Sequence, residues 1–233
     1  VGARDIPFLE LLLKRIKKEG SNCAIVVIGE NDQITRQYFS SNPIENFQIR
    51  YVVQRIPQDR SKPLGTADAV ETALFSNTDL SHHSIVVCNG DNMPPEGSFN
   101  EIFKFNCAML AYDSSKLGLP DDRVSAFAVV EIDSEGYLKQ IVEKPLREIT
   151  PRFIQTDGTL RVSMNMFKMS FSDFMTAVKD CQLDDVRNEK ELPFAVDRWV
   201  RDNPRNMIAI PFEGEFLDLT HPADFEFVTK KLQ

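Results

Sequence analysis

Between Ile6 and Tyr112 the chain alternates amphipathic stretches with short apolar runs rich in β-branched residues, and this alternation limits its fold more than any other feature. Ile6 to Lys18 sets Ile6, Phe8, Leu9, Leu12, Leu13 and Ile16 on one helical face. Lys14, Arg15, Lys17 and Lys18 gather near its end, where cations complement the helix dipole, and Gly20 stops it. Cys23 to Ile28 is then predicted as a buried strand, and Asn31 to Phe39 as a helix capped by Asn31 or Asp32. Ile49 to Gln54, Ser84 to Cys88 and Ala108 to Tyr112 follow as strands, separated by helices over Thr66 to Phe75 and Phe99 to Phe105. Such alternation predicts an α/β fold, with a mainly parallel sheet flanked by helices. After Tyr112 the pattern changes. Ser125 to Ile132, Leu138 to Val142 and Leu160 to Met169 are strand-like with no helix between them, and Ser134-Glu135-Gly136 supplies a hairpin turn, so an antiparallel insertion is expected there. Helical patterns return at Ser172 to Cys181, Leu192 to Asp202 and Pro222 to Leu232, with a strand at Met207 to Pro211.

Composition removes some functions. A net charge of −8 over 233 residues argues against general binding to nucleic acid or an anionic membrane surface. Cys23, Cys88, Cys107 and Cys181 are scattered with no Cys-x-x-Cys pair, and His82, His83 and His221 have no partner at zinc spacing. With no signal peptide and no bilayer-length apolar run, the cytoplasm is the expected compartment. A homo-oligomer is compatible with this composition.

Two stretches draw attention on chemical grounds. In Ser84-Ile85-Val86-Val87-Cys88-Asn89-Gly90-Asp91, an apolar run leads into Gly90 and Asp91, which puts a carboxylate where ligands collect beyond the strand ends of an open sheet. Alone, the pattern fits a turn or cap acid as well as it fits a metal ligand. Ile56 to Leu64 is the one long irregular segment; it carries two prolines with Arg60 and Lys62, next to Arg55, and loops of that length are often functional.

Five ordered stretches resemble the sugar-1-phosphate nucleotidylyltransferases, or sugar nucleotide pyrophosphorylases. They are Pro63-Leu64-Gly65-Thr66-Ala67-Asp68-Ala69, Asn89-Gly90-Asp91, Gly136-Tyr137-Leu138-Lys139-Gln140-Ile141-Val142-Glu143-Lys144-Pro145, Ser163-Met164-Asn165-Met166-Phe167, and Gly214-Glu215-Phe216-Leu217-Asp218-Leu219-Thr220-His221-Pro222-Ala223-Asp224. The resemblance implies a Rossmann-like nucleotide-diphospho-sugar transferase fold with an antiparallel insertion over the sugar site. It implies attack by a sugar-1-phosphate oxygen on the α-phosphorus of a nucleoside triphosphate, with release of pyrophosphate. By the same resemblance Asp91 and Asp218 hold Mg²⁺, Lys144 contacts the sugar phosphate and Glu143 accepts sugar hydroxyls. Gly65, Thr66 and Ala67 contact the base, Gly90 belongs to the binding surface, and Ser163 and Asn165 face the sugar. Both acids follow strand-like segments, which a single parallel sheet would place side by side.

Departures from the family are confined to two places. Family members open with a strand and a glycine-rich loop carrying an arginine. This chain begins Val1-Gly2-Ala3-Arg4-Asp5-Ile6-Pro7 and contains no Gly-x-Gly-x-x-Arg, so one domain over residues 1–233, N-terminally incomplete relative to the family, is expected. On the sugar side Phe127-Ala128 replaces a Tyr-Gly step and Ser163-Met164-Asn165 replaces the usual Asn-x-Gly, which leaves Ser163 and Asn165 open to contact with the sugar or with a different phosphorylated alcohol. Two alternatives to an active nucleotidyltransferase remain at this stage: a nucleotide-binding regulatory subunit of the same fold, and a glycosyltransferase of the related fold, although Asp91-Asn92-Met93 lacks that class's second acid.

Overall fold

The structure, a computed structural model, describes residues 2–3, 6–143, 145–146, 148–184 and 188–232. In chain order these form β1 (Gly2–Ala3), β2 (Ile6–Pro7), α1 (Phe8–Lys18), β3 (Cys23–Gly29), α2 (Gln33–Ser41), β4 (Gln48–Gln54) and α3 (Thr66–Phe75). Then come β5 (Ser84–Val87), β6 (Asn92–Met93), α4 (Ser98–Phe103), β7 (Ala108–Asp113), α5 (Asp121–Val124), β8 (Ala128–Ile132) and β9 (Leu138–Val142). The last third holds β10 (Arg161–Ser170), α6 (Phe171–Lys179), α7 (Leu192–Asp202), β11 (Ile208–Phe212), β12 (Leu217–Asp218) and α8 (Asp224–Leu232).

Helices α3 and α7 have the bounds expected from sequence. The first helix starts later than its apolar face does: Pro7, with no N–H to give, stands at the N-cap with φ of −59°, and Ile6–Pro7 pairs with Gly2–Ala3 instead. Of the two candidate caps for α2, Asp32 does the work, its carboxylate accepting the Thr35 N–H at 2.9 Å. The strand expected from Ser125 begins only at Ala128, because the residues after Pro120 form the one-turn helix α5.

The α/β expectation holds, and β10 organises the sheet. One edge of β10 pairs antiparallel with β7, at residues 161–163 and again at 167–168. The opposite edge is divided: residues 162–163 pair with β8, and 167–170 pair with β5, both antiparallel. β11 lies parallel to β7 on its other side, so β5, β7 and β11 all run one way, as the strand–helix alternation requires, with β10 threaded between β5 and β7. β3 and β4 form a parallel pair in register from Cys23↔Gln48 to Gly29↔Gln54.

The insertion extends the same sheet beyond β10. β8 and β9 make the expected hairpin, its turn held by the Asp133 carboxylate, which accepts the N–H groups of Glu135 and Tyr137 at 2.9 Å each. The hairpin end also reaches β11: Leu138 N–H donates to the Met207 carbonyl and Ala209 N–H to the Gly136 carbonyl, both at 2.9 Å.

β7 is buried at all six positions because it separates two apolar layers. Met109 and Ala111 join Phe167, Phe174, Val196 and Trp199 under α3, α6 and α7. Ala108, Leu110 and Tyr112 join Leu12, Phe99, Ile102 and Phe216 on the other side. Each large side chain so buried contributes on the order of 1.5–3 kcal/mol. Glu19, 2 % exposed, stitches α1 to α4. Its carboxylate accepts the N–H groups of Gly97, Phe99 and Asn100 at 2.8–3.2 Å, so one side chain caps a helix whose own N-cap, Gly97, has none to offer.

Asp197 on α7 does the corresponding work for β9. Oδ1 accepts the Ile141 N–H at 2.7 Å and Oδ2 pairs with Arg201 at 2.8 Å. Burial raises the Asp197 pKa, against the opposing pull of that N–H and of Arg201. Asp197→Ala leaves the Ile141 N–H buried without its acceptor and is expected to cost about 1–3 kcal/mol of stability. Asp197→Asn, which keeps an oxygen at that point, is expected to lose clearly less; chemical denaturation of both variants measures the difference.

Candidate active site

The divided edge of β10 creates the site. Residues 164–166 lie between the part paired to β8 and the part paired to β5; the ladder to β7 slips at the same place, and Asn165 takes a left-handed φ of 57°. The two strands that share this edge must diverge, and a pocket of ≈ 100 Å³ opens between them. From the β5 and β12 side it is lined by Asn89, Asn92, Asp218 and Thr220, and from the β8 and β10 side by Phe127, Ser163, Met164 and Asn165. Thus the two residues expected on the sugar side, Ser163 and Asn165, share a pocket with Asp218. Within it the Asn165 N–H donates to Ser163 Oγ at 3.2 Å.

Asp91 and Asp218 do come together, by a route other than neighbouring parallel strands. β6, directly after Asp91, pairs antiparallel with β12, Asn92 opposite Asp218, and the Leu219 N–H donates to the Asp91 carbonyl at 2.9 Å. Two residues of ladder therefore fix the second acid beside the first.

The two carboxylates differ in state. Asp218 is 5 % exposed and fully engaged. Oδ1 accepts Asn92 Nδ2 at 3.2 Å, Thr220 N at 3.1 Å and Thr220 Oγ1 at 2.5 Å, while Oδ2 accepts Arg123 Nη2 at 2.5 Å. Asn89 Nδ2 donates to Asn92 Oδ1 at 2.9 Å, which orients the amide that serves Asp218. Asp91 reaches solvent but sits low among protein atoms. Loss of hydration raises its pKa above 3.8 and the Asp218 charge adds to the rise; its own backbone N–H, Arg123 and Thr220 pull the other way. Arg123 Nη1 also bonds Asp224 Oδ1 at 2.5 Å, so one guanidinium spans two carboxylates and acts on a third.

The remaining expected residues are placed as follows. Gly90 has no left-handed φ, and a Cβ added there would meet nothing within 4 Å, so the space beside it is open. Gly65 has φ of 117°, and a Cβ would lie 2.6 Å from the Lys190 carbonyl oxygen; close packing on that backbone requires the glycine. The first turn of α3 faces the same segment: Ala67 N–H donates to the Lys190 carbonyl at 2.9 Å and Thr66 Oγ1 accepts the Leu192 N–H at 2.9 Å. Gly65, Thr66 and Ala67 therefore stand apart from the walls of this pocket. Glu143 is exposed just beyond β9, and Lys144 lies outside the described residues. The basic loop is partly spent on structure, with Arg60 bonded to the Asn188 carbonyl and Lys62 paired with Glu189. Asn92, Arg123 and Thr220 acquire roles that sequence reasoning did not assign. Asn92 and Thr220 were detectable as neighbours of the two acids, whereas Arg123, roughly a hundred residues from Asp218 along the chain, gave no local signal.

Two outcomes test this description. Below its ordinary value of 3.8 Asp91 is neutral in both folded and unfolded chains; as pH rises past that value the unfolded chain ionises first, and stability is lost up to the raised folded pKa. Asp91→Asn is therefore expected to melt above wild type near neutral pH and to match it at about pH 3, and a lower Tm near neutrality would contradict the desolvation. Gly65→Ala is expected to lower stability by at least about 2 kcal/mol, from the strained φ and the carbonyl clash together; an unchanged Tm would contradict the packing.

Comparison with known proteins shows the family and the fold. The "Bifunctional protein GlmU" of Methanococcus maripaludis is 28% identical over 219 residues, covering 94% of this chain, which spans only 45% of that protein's length. The D-glycero-α-D-manno-heptose 1-phosphate guanylyltransferase of Campylobacter jejuni is 22% identical over 228 residues, covering 95% of this chain and 84% of the relative. In fold, the crystal structure of a UDP-glucose pyrophosphorylase complexed with UDP-glucose superposes with a TM-score of 0.75 at 16% identity, over 99% of this chain and 88% of the other. Residues 1–190 match the profile of the family described as Nucleotidyl transferase, and the chain belongs to that family.

Proposed function

We propose that the protein transfers a nucleotidyl group from a nucleoside triphosphate to a sugar 1-phosphate or a related phosphate, releasing pyrophosphate. The observation that carries this reading is the β6–β12 ladder that sets Asp91 beside Asp218, which itself lines a pocket whose facing wall is Ser163 and Asn165. In the reaction a phosphate oxygen forms a bond to the α-phosphorus while the bond to pyrophosphate breaks in line. No covalent nucleophile is required, and the protein's task is to bring two anions together and hold them.

The family is in general dependent on a divalent metal. The donor set here suits one: two hard carboxylates, one of them exposed beside the open space at Gly90. Among the described residues no group of three or more His, Cys, Asp or Glu is assembled for a metal, which fits a site where substrate phosphates supply the remaining oxygens. Mg²⁺ held by Asp91 and Asp218 would neutralise charge on the phosphates. Asn92 and Thr220 keep the Asp218 carboxylate in one orientation for that purpose. Ser163 and Asn165 offer a hydroxyl and an amide for sugar hydroxyls, and Phe127 gives an apolar wall. We assign Gly65, Thr66 and Ala67 to the base, Glu143 to a sugar hydroxyl and Lys144 to the sugar phosphate, on family resemblance. The Campylobacter relative is named for guanylyl transfer to a heptose 1-phosphate, which supports the substrate class. We place the chemistry in the cytoplasm: all four cysteines are free thiols and no helix among the described residues is long and apolar enough to cross a membrane.

The test is pyrophosphate release by the full gene product across a panel of nucleoside triphosphates and sugar 1-phosphates with Mg²⁺. Turnover is expected with at least one pair, and Asp91→Asn or Asp218→Asn is expected to lower kcat by about a hundredfold or more. A folded protein with no turnover on any pair would overturn the reading.

A further inference from the structure

We infer that Arg123 is the resident counter-cation of the Asp91–Asp218 pair, and that a divalent cation enters this site by displacing its guanidinium. The inference rests on the metal-dependent reading above. Oδ1 of Asp218 already accepts three donors and Oδ2 is held by the Arg123 guanidinium, so a cation that ligates Oδ2 would lie directly against a like charge and gains by its departure.

The donors are not equally fixed. Asn92 and Thr220 lie on or beside the β6–β12 ladder, where Asn92 is buried and its amide is held by Asn89. Arg123 stands on α5, a single turn with no buried residue. Moving that turn disturbs only the half-buried Val124 at the margin of the core, whereas freeing Asn92 or Thr220 would break the ladder, so the guanidinium is the donor that yields. Arg123 also has somewhere to go: Asp224 already holds Nη1, and its other oxygen accepts the His221 N–H at 2.7 Å, so Asp224 stays anchored when the Asp218 contact opens. The displacement moves Arg123 from Asp218 towards Asp224, exchanging a monovalent partner of the metal pair for a divalent one. Until then the arginine keeps two close acids from repelling each other, so metal affinity is the outcome of a competition inside the site.

The measurement is binding of Mn²⁺ alone to the full chain, followed by the electron paramagnetic resonance of free Mn²⁺, with no nucleotide present. Arg123→Met removes the competitor and is expected to bind Mn²⁺ about tenfold or more tightly than wild type, while Arg123→Lys, with charge but no fork, falls between. Asp224→Asn releases one anchor of the arginine without touching Asp91 or Asp218; it holds Arg123 harder against Asp218 and is expected to bind Mn²⁺ more weakly than wild type. Far-ultraviolet circular dichroism verifies folding, and if Arg123→Met fails to fold, the Asp224→Asn result decides. Wild-type binding with variants of unchanged affinity overturns the role of Arg123 and leaves the proposed function standing. Folded proteins that all fail to bind Mn²⁺ overturn the metal site itself, and this inference with it.

Discussion

The backbone of β10 has one edge to offer two strands, and the rest of the site follows from that constraint. Buried N–H and C=O groups must be paired, so β8 takes the first part of the edge and β5 the last. Where neither can reach, at residues 164–166, the strands separate and leave a space walled by β10 itself and by residues just beyond β5 and just before β8. β7 supports this arrangement: buried at every position and paired with both β10 and β11, it holds the other edge of β10 on both sides of the slip. The pocket is therefore a product of how hydrogen bonds are divided within the sheet, and surface loops only furnish it.

That origin explains why two acids close together take different states. Asp218 belongs to the short ladder with β6 and is drawn out of water, so it must be compensated by protein donors and receives four. Asp91 hangs from the turn before that ladder, where loss of hydration and the neighbouring Asp218 charge outweigh the groups that favour its ionised form, so its proton affinity rises. Asp218 faces the pocket with its orientation held by Asn92 and Thr220, while Asp91 stands beside it in contact with solvent. In a chain of net charge −8, a local guanidinium and an incoming cation are the natural means of admitting phosphates to such a place.

Much of this was readable from sequence because it depends on local patterns. The helices over Thr66–Phe75 and Leu192–Asp202 follow from apolar spacing, and the Ser134-Glu135-Gly136 turn follows from its residues. Asp91 alone fitted a turn acid equally well, and it was the family resemblance that paired it with Asp218, beside which the structure places it. What escaped depends on long-range pairing. The insertion of β10 between β5 and β7 joins residues some 80 apart from one neighbour and 55 from the other, which no local period encodes. Gly65 shows a different limit: in sequence its motif reads as a contact to a base, while in the structure its missing side chain is already accounted for by the Lys190 carbonyl. Arg123 was hidden for the plainest reason, since a lone arginine in Asp-Asp-Arg looks like any solvated charge.

The carboxylate of Asp197 stands where the carbonyl of a further strand would stand, and its bond to Ile141 fills a place in a row of backbone donors. The other end of the same row is met by the hairpin's bonds to Met207 and Ala209, which join the two outermost strands of the sheet to each other. An outermost strand with open donors is a template on which a second molecule can build, and the route by which many sheets aggregate. Here one acidic side chain and two backbone bonds occupy that template, so solubility of the folded chain depends in part on a residue that lies on the helix layer and never touches the surface it protects.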